Sequence, residues 1–179
     1  MNKPAARRVL FVCTANICRS PTAEYLARDR FGEDYWRFRS AGFLPSGRAP
    51  SDTLIRALAE VDLDVRRHRS YQLDRPSIAT ADLVLTMEGS HVRQATEIDA
   101  SAYGKMMPLR EAAAVLDEWD DSVATIEELL VEVARERDPA SYLGDEWDVD
   151  DPYGRSLRIY RKTVAEIGDL VEAVLGRLR

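Results

Sequence analysis

The chain has 179 residues, a length typical of one domain with one hydrophobic core. Its formal net charge of -6 argues against nucleic acid as a partner, because nucleic-acid-binding proteins usually carry a basic face. No apolar run approaches the ~20 residues of a membrane helix, and Cys13 and Cys18 lie too close together to form a secreted disulfide scaffold. We therefore expect a cytoplasmic protein without membrane association, monomeric by default.

The first half of the chain alternates apolar runs typical of strands with amphipathic runs typical of helices. Val9–Val12 is wholly apolar, as in strands buried on both faces of a parallel sheet. A loop at Cys13–Arg19 follows, and Ser20-Pro21 marks a helix start, since proline is tolerated in a first turn. The remaining predictions here are a weaker strand at Trp36–Ser40, a loop at Phe43–Ser51, a helix marked by Leu54, Leu58 and Val61, and a buried strand at Leu83–Thr86.

The second half continues the alternation and predicts an α/β fold with a small central parallel sheet flanked by helices. We expect one domain over residues 1–179, with ligands bound at the carboxyl ends of the strands. The predicted elements are a helix at Met87–Ile98, a strand at Lys105–Pro108, an acidic helix from Val123 to Val133, a loop at Asp138–Asp151 and a long last helix from Leu157 to Leu178.

The loop after the first strand carries the chemistry. Cys13 is followed by five residues, then Arg19 and Ser20. A loop that enters a helix directs backbone N–H groups into one concavity that binds phosphate, and Arg19 grips phosphate oxygens. These positive surroundings favour the Cys13 thiolate, which is the nucleophile. The residues expected to contact the substrate or support its binding here are Thr14, Ala15, Asn16, Ile17, Cys18 and Ser20.

Several further segments, together with this C-x5-R-S-P arrangement, resemble the low-molecular-weight protein tyrosine phosphatase family. Their order and rough spacing agree with that family over nearly the whole chain, which is far more specific than one motif. The segments are Ser40-Ala41-Gly42, His68-Arg69-Ser70-Tyr71-Gln72, Ala81–Leu85 with Thr86-Met87, and Asp151-Pro152-Tyr153 before the last helix.

The resemblance implies a general acid, Asp151, which protonates the leaving group and later takes a proton from water. Asp148 and Asp150 are close alternatives, and the resemblance selects Asp151 because the family's acid directly precedes proline. Tyr153 is expected to flank the substrate. The supporting residues that the resemblance implies for the loop are Ser40 and His68, although His68 fits a surface histidine almost equally well. The other histidine, His91, reads as solvent-facing.

Three features depart from the family's pattern. Ala15 stands where the family usually has glycine, and if that position requires φ > 0, alanine costs on the order of 1 kcal/mol. Phe43 follows Gly42 where tyrosine-specific members commonly have tryptophan. The segment 115–147 is longer than usual, and we interpret it as an inserted acidic helix. This helix is either a lid or partner surface, or a solvent-exposed amphipathic addition without a function.

We therefore expect two-step hydrolysis of a phosphomonoester through a phosphocysteine, in a protein tyrosine phosphatase with no cofactor and no metal. The substrate is a phosphorylated protein or a small phosphomonoester. Alternatives are a protein-arginine phosphatase, an arsenate reductase and a non-catalytic module that binds phosphorylated partners. The thioredoxin-coupled arsenate reductases use three cysteines, and this chain has two.

Overall fold

A four-stranded parallel sheet forms the centre of the molecule. The computed structural model describes residues 6–118 and 124–178. The strands are β1 (Arg7–Cys13), β2 (Trp36–Gly42), β3 (Leu83–Thr86) and β4 (Met106–Pro108), in the order β2-β1-β3-β4. The expected α/β architecture with a loop after the first strand is confirmed.

Helices cover both faces of this sheet. They are α1 (Arg19–Phe31), α2 (Asp52–Ala59), α3 (Arg75–Thr80), α4 (Gly89–Ile98), α5 (Leu109–Asp117), α6 (Ile126–Glu136) and α7 (Leu157–Leu175), with 3-10 turns at Ala100–Lys105 and Pro139–Leu143. On one face α7 packs against α1, α2 and α5, and α4 lies on the other face. No helix among the residues described has both the length and the apolar character to cross a membrane.

The two faces explain the uninterrupted apolar run of β1. Val9 and Phe11 belong to the larger core beneath α1 and α7, whereas Leu10 and Val12 belong to the smaller core beneath α3 and α4. Because successive side chains of a strand point to opposite faces, a strand covered on both faces must be apolar throughout. Its carboxyl end, at the buried Cys13, leads directly into the loop that follows.

The predicted elements are mostly present, with shifted ends. The strand at Leu83–Thr86 has the expected bounds, but α7 ends at Leu175, and Leu178 instead forms a bridge with Ala124. The acidic helix begins at Ile126, and Val123 lies outside the described residues. Two helices, α3 and α5, were not predicted.

The acidic helix α6 packs on α5. The expected loop at 138–151 contains the turn Pro139–Leu143, whose Tyr142 is buried. That the segment 115–147 is an insertion, and that residues 1–179 form one domain, stay predictions.

Candidate active site

Three backbone carbonyl groups of the loop between β1 and α1 are contacted by hydrogen-bonding groups from other segments of the chain. Thr14 O accepts from the N–H groups of Phe43 and Leu44, and Asn16 O lies 2.8 Å from His68 Nε2. Ile17 O accepts from the Ser51 N–H at 3.3 Å. In a trans peptide the N–H points opposite to the C=O. The N–H groups that follow these carbonyls therefore point into the loop, which is the arrangement of an anion-binding nest.

Asn16 is the centre of the network that holds the loop. It is fully buried, and its φ of 53° lies in the left-handed region that asparagine tolerates better than most residues. Its Nδ2 donates to Ser20 Oγ at 2.9 Å and to Ser40 Oγ at 2.8 Å, while its Oδ1 accepts from the Tyr71 N–H at 2.8 Å. The Ser40 hydroxyl in turn donates to the buried carboxylate of Glu24. Every polar group of the Asn16 side chain is thus paired within the fold.

Cys13 lies at the bottom of the loop with two hydrogen-bonding groups on its sulfur. The Asn16 N–H donates to Sγ at 3.3 Å, and Ser20 Oγ is 3.0 Å from Sγ. Ser20 Oγ accepts from the Asn16 amide, and its single proton lies within reach of two acceptors, Cys13 Sγ at 3.0 Å and the Ala41 carbonyl oxygen at 3.3 Å. Both contacts hold the sulfur at the bottom of the loop.

Arg19 is held in place beside this sulfur although it is only 2% exposed. Its Nη1 donates to the Glu88 carboxylate at 2.6 Å and to Val149 O at 2.8 Å, and its Nη2 lies 3.0 Å from Asp151 Oδ2 and 3.3 Å from Thr14 Oγ1. Its Nε is buried and has no hydrogen-bond partner among the residues that the structure describes. A buried N–H without a partner costs free energy, so an oxygen of a bound anion would stabilise this arrangement.

The three candidate acids occupy different places. Asp151 lines the cavity above Cys13, and its Oδ1 accepts from the Tyr153 N–H at 3.0 Å. Asp148 instead accepts from the Gly89 N–H at the start of α4, and burial raises the pKa of this carboxyl. Asp150 is exposed. Only Asp151 among them contacts Arg19 and borders the cavity.

Comparison with known proteins agrees with this geometry. The model of the family described as Low molecular weight phosphotyrosine protein phosphatase matches residues 8–127. The protein-arginine-phosphatase of Bacillus subtilis is 31% identical over 176 residues, covering 96% of each chain. The protein-tyrosine-phosphatase PtpB of Staphylococcus epidermidis is 28% identical over 168 residues, covering 93% of this chain and 96% of that one. The chain belongs to the low molecular weight phosphotyrosine protein phosphatase family.

A solved structure of the family supports the same assignment. The low molecular weight protein tyrosine phosphatase from T. tengcongensis superposes with a TM-score of 0.72 at 30% identity, over 97% of this chain and all of that one. The phosphocysteine mechanism is general to this phosphatase family, and the chain is a cysteine-based phosphatase. The resemblance found in the sequence is confirmed.

The interpretation of His91 as solvent-facing is wrong. This residue is 1% exposed, and its Nε2 lies 3.0 Å from Thr14 Oγ1 in the phosphate loop. Burial lowers its pKa to about 4, against a smaller opposite effect of the Glu88 carboxylate, so the ring is neutral at pH 7. Helix α4 begins at Gly89, and its first turn contains His91, which faces the loop of this phosphatase rather than solvent.

Glu88, which forms an ion pair with Arg19 as Asp151 does, was not identified from the sequence. A signal was available, because Glu88 lies two residues beyond the end of β3, which pairs with β1, and ligand sites form at the carboxyl ends of such strands. Of the two expected supporting residues, Ser40 and His68, each directly contacts Asn16, and His68 is buried.

The left-handed residue of this family member's loop is Asn16 and not Ala15. The expected cost of alanine at that position therefore does not arise. The loop backbone packs closely against Gly42 of β2, where a Cβ would lie 2.7 Å from Asn16 N and 2.9 Å from Cys13 O. Any side chain at Gly42 would push the loop backbone away from β2.

The mouth of the site is an apolar-walled cavity of about 170 Å³ above Cys13. Phe43 does not form its wall, because its ring packs on His91 with centroids 5.4 Å apart. The Cys18 side chain points toward Ser51 and Tyr160, with which its sulfur makes contacts of 3.5 and 3.3 Å. Beyond the loop itself, the residues lining the cavity are Leu44, Arg48, Asp151 and Tyr153.

Proposed function

We propose that this enzyme hydrolyses phosphotyrosine in phosphorylated proteins, with Cys13 as nucleophile, Arg19 as phosphate clamp and Asp151 as acid and then base. The observation that carries the proposal is the convergence of these three side chains on one cavity of about 170 Å³. The loop N–H groups and Arg19 supply the positive charge that three phosphate oxygens require. We place this activity in the cytoplasm.

In the first step the Cys13 thiolate attacks phosphorus, and the P–O bond to the phenol breaks as the S–P bond forms. The departing oxygen takes a proton from the Asp151 carboxyl group, which makes it a better leaving group. Asp151 is paired with Arg19 at 3.0 Å. A phosphate on Arg19 replaces that partner, and the carboxyl group turns to the leaving oxygen.

In the second step water attacks the phosphocysteine, and the Asp151 carboxylate accepts its proton. The S–P bond breaks, inorganic phosphate leaves, and the Cys13 thiolate is restored. The Ser20 hydroxyl, 3.0 Å from Sγ, stabilises the returning charge. Ser40 and His68 act through Asn16, by holding the loop in the shape that receives phosphate.

The choice of phosphotyrosine depends on the walls of the cavity. Ile17 lines it at the rim of the loop, with Leu44 and Tyr153 among the other walls. An apolar branched side chain packs on an aromatic ring, whereas threonine would leave room for a guanidinium and a water. A methyl-scale difference of this kind discriminates by about 1–3 kcal/mol.

Phosphoarginine is the second candidate, because the protein-arginine-phosphatase of Bacillus subtilis matches this chain over 96% of its length. We expect Ile17→Thr to shift the ratio of the two kcat/KM values toward phosphoarginine by at least about tenfold. Assays of wild type and variant on matched phosphotyrosine and phosphoarginine peptides measure this ratio.

Ile17→Val is the matched control, because it shortens the side chain but keeps it apolar, and its ratio should stay near wild type. A wild-type enzyme that is already faster on phosphoarginine would contradict the phosphotyrosine assignment. An unchanged ratio in Ile17→Thr would show that this residue does not set the preference.

A further inference from the structure

A second cavity, of about 530 Å³, opens at the outer edge of β2 and shares no lining residue with the cavity above Cys13. Its walls come from α1, β2, α3 and the segment after α2. Two of the lining residues, Ser40 and His68, are those that hydrogen-bond Asn16. The second cavity therefore touches the supports of the phosphate loop from the side opposite the substrate.

The second cavity is basic on a chain of net charge -6. Three arginines line it against one carboxylate, Glu24, which is paired with Arg28 at 2.6 Å. The Arg69 guanidinium donates to the backbone carbonyls of Arg66 and His68, and no carboxylate among the described residues compensates its charge. The Arg39 guanidinium has no hydrogen bond or ion pair with any residue in the described part of the chain, although the Arg39 backbone pairs with β1. Two arginine charges are thus available to an anion.

The edge of β2 adds a backbone donor. Phe38 O accepts from Arg28 at 3.0 Å, and the Gly42 N–H donates to Tyr71 O at 2.9 Å, so both residues point their backbone groups outward. Ser40 lies between them, and residues two apart on a strand point their backbone groups to the same edge. The Ser40 N–H consequently faces the cavity, because β1 occupies the opposite edge.

An aromatic wall completes the second cavity. The Tyr25 ring lies edge-on to the His68 imidazole, with centroids 6.3 Å apart, and Tyr71, which is 47% exposed, also lines the cavity. Burial raises the pKa of the Tyr25 hydroxyl, so it remains a hydrogen-bond donor at pH 7. An aromatic surface beside two guanidinium groups that have no carboxylate partner among the described residues suits a ligand that carries both an organic group and a phosphate.

We propose that this cavity binds a small organic phosphate, with its dianionic group on Arg39, Arg69 and the Ser40 N–H and its organic part against Tyr25. This site is additional to hydrolysis at Cys13. Its occupant contacts Ser40 and His68, and any shift of these side chains changes how firmly Asn16 holds the loop. Occupancy therefore changes kcat.

Phenylphosphonate is a suitable probe, because its P–C bond resists phosphatase chemistry. The catalytic loop is first blocked by alkylating Cys13 with iodoacetate, and mass spectrometry verifies a single carboxymethyl group on Cys13. Isothermal titration should then show saturable binding of one phenylphosphonate per chain. Benzoate, which carries the same ring with a single charge, should bind at least about tenfold more weakly.

Arg39→Gln should weaken this binding at least about tenfold, whereas Arg93→Gln, an equal charge change at an exposed position of α4, should leave it unchanged. Absence of saturable binding to the alkylated enzyme would overturn the proposal. Equal affinity in the two variants would overturn it as well.

Steady-state kinetics of the unmodified enzyme test the link to the loop. On p-nitrophenyl phosphate, phenylphosphonate should raise KM in wild type by competing at Cys13 and should also change kcat. In Arg39→Gln the effect on KM should persist and the effect on kcat should disappear. A wild-type kcat that does not respond at saturating phenylphosphonate would refute the link between this cavity and the loop.

Discussion

The two sides of the phosphate loop differ in how they are built. Behind the loop, Asn16 is fully buried and each polar group of its side chain has a partner. In front of it, Tyr153 is 59% exposed, and the side chain of Asp151 is 45% exposed. The rear network fixes the geometry that any phosphate ester requires, whereas the mouth is free to differ with the substrate. Loss of a rear contact should therefore affect all substrates alike, and changes at the mouth should depend on the leaving group.

The largest expected effect is at the mouth. Asp151→Asn keeps the shape of the side chain but removes the proton, so kcat on alkyl phosphates should fall by about 10²–10⁴-fold. Activated aryl phosphates should suffer less, because their leaving groups need less protonation. Steady-state assays on a series of phosphate esters measure the slope of log kcat against the pKa of the leaving group.

Asp150→Asn is the matched control for that series, because it removes the neighbouring carboxylate and should leave the slope unchanged. A mild, uniform loss in Asp151→Asn, with a steep loss in Asp150→Asn, would transfer the acid role to Asp150.

Behind the loop, Asn16→Ala should destabilise the fold and slow every substrate by a similar factor. It removes three buried hydrogen bonds and places alanine at a φ of 53°, for a loss of about 3–5 kcal/mol in the free energy of unfolding. Urea denaturation gives this value. Asn16→Gly removes the same hydrogen bonds without backbone strain, so it should be about 1 kcal/mol more stable than Asn16→Ala. Equal stability to wild type in either variant would show that the network does not hold the loop.

A smaller effect concerns His91, whose ring contacts Thr14 of the phosphate loop. The unfolded chain takes up a proton at the ordinary pKa of 6.5, whereas the buried ring does so only at about 4. Between these values the unfolded state binds more protons, so stability falls as the pH drops, by up to about 3 kcal/mol. The other charged groups that face the ring are Glu88, Arg19 and Asp151.

His91→Gln removes this titration and retains those neighbours, so the difference between the two proteins isolates the histidine. Urea denaturation from pH 7 to 4 should show a steeper decline for wild type than for His91→Gln. Parallel declines would mean that His91 does not contribute to the acid sensitivity.

The residues themselves predicted the part of the site that is local in sequence, whereas Asp151, Ser40 and His68, which reach it through tertiary contacts, were identified only through the family resemblance. Cys13, Arg19 and Ser20 lie on one strand–loop–helix unit, whose apolar run and proline mark its elements. Glu88 and His91 reach the loop only because β3 pairs with β1, and their local sequence resembles that of an exposed helix start. For the same reason the sequence could not show that Asn16, and not Ala15, has the positive φ.

The missed helices have physical explanations as well. The helix α3 has six residues and opens with Arg75-Pro76, too short for a helical period to appear. The helix α5 buries an apolar face in which alanine stands beside leucine, and it follows directly on Pro108 at the end of β4. By contrast, Leu83–Thr86 had the expected bounds because both faces of that strand are covered.

The central claim is that Cys13 carries the phosphoryl group between the two steps, and trapping that intermediate tests it most directly. Asp151→Asn slows the attack of water, so acid quenching of this variant during turnover of an activated aryl phosphate should leave the phosphoenzyme populated. Peptide mass spectrometry should then find one phosphoryl group on Cys13, and Cys13→Ser should show no turnover. A phosphoryl group on another residue, or a Cys13→Ser enzyme within about tenfold of wild-type kcat, would contradict the mechanism.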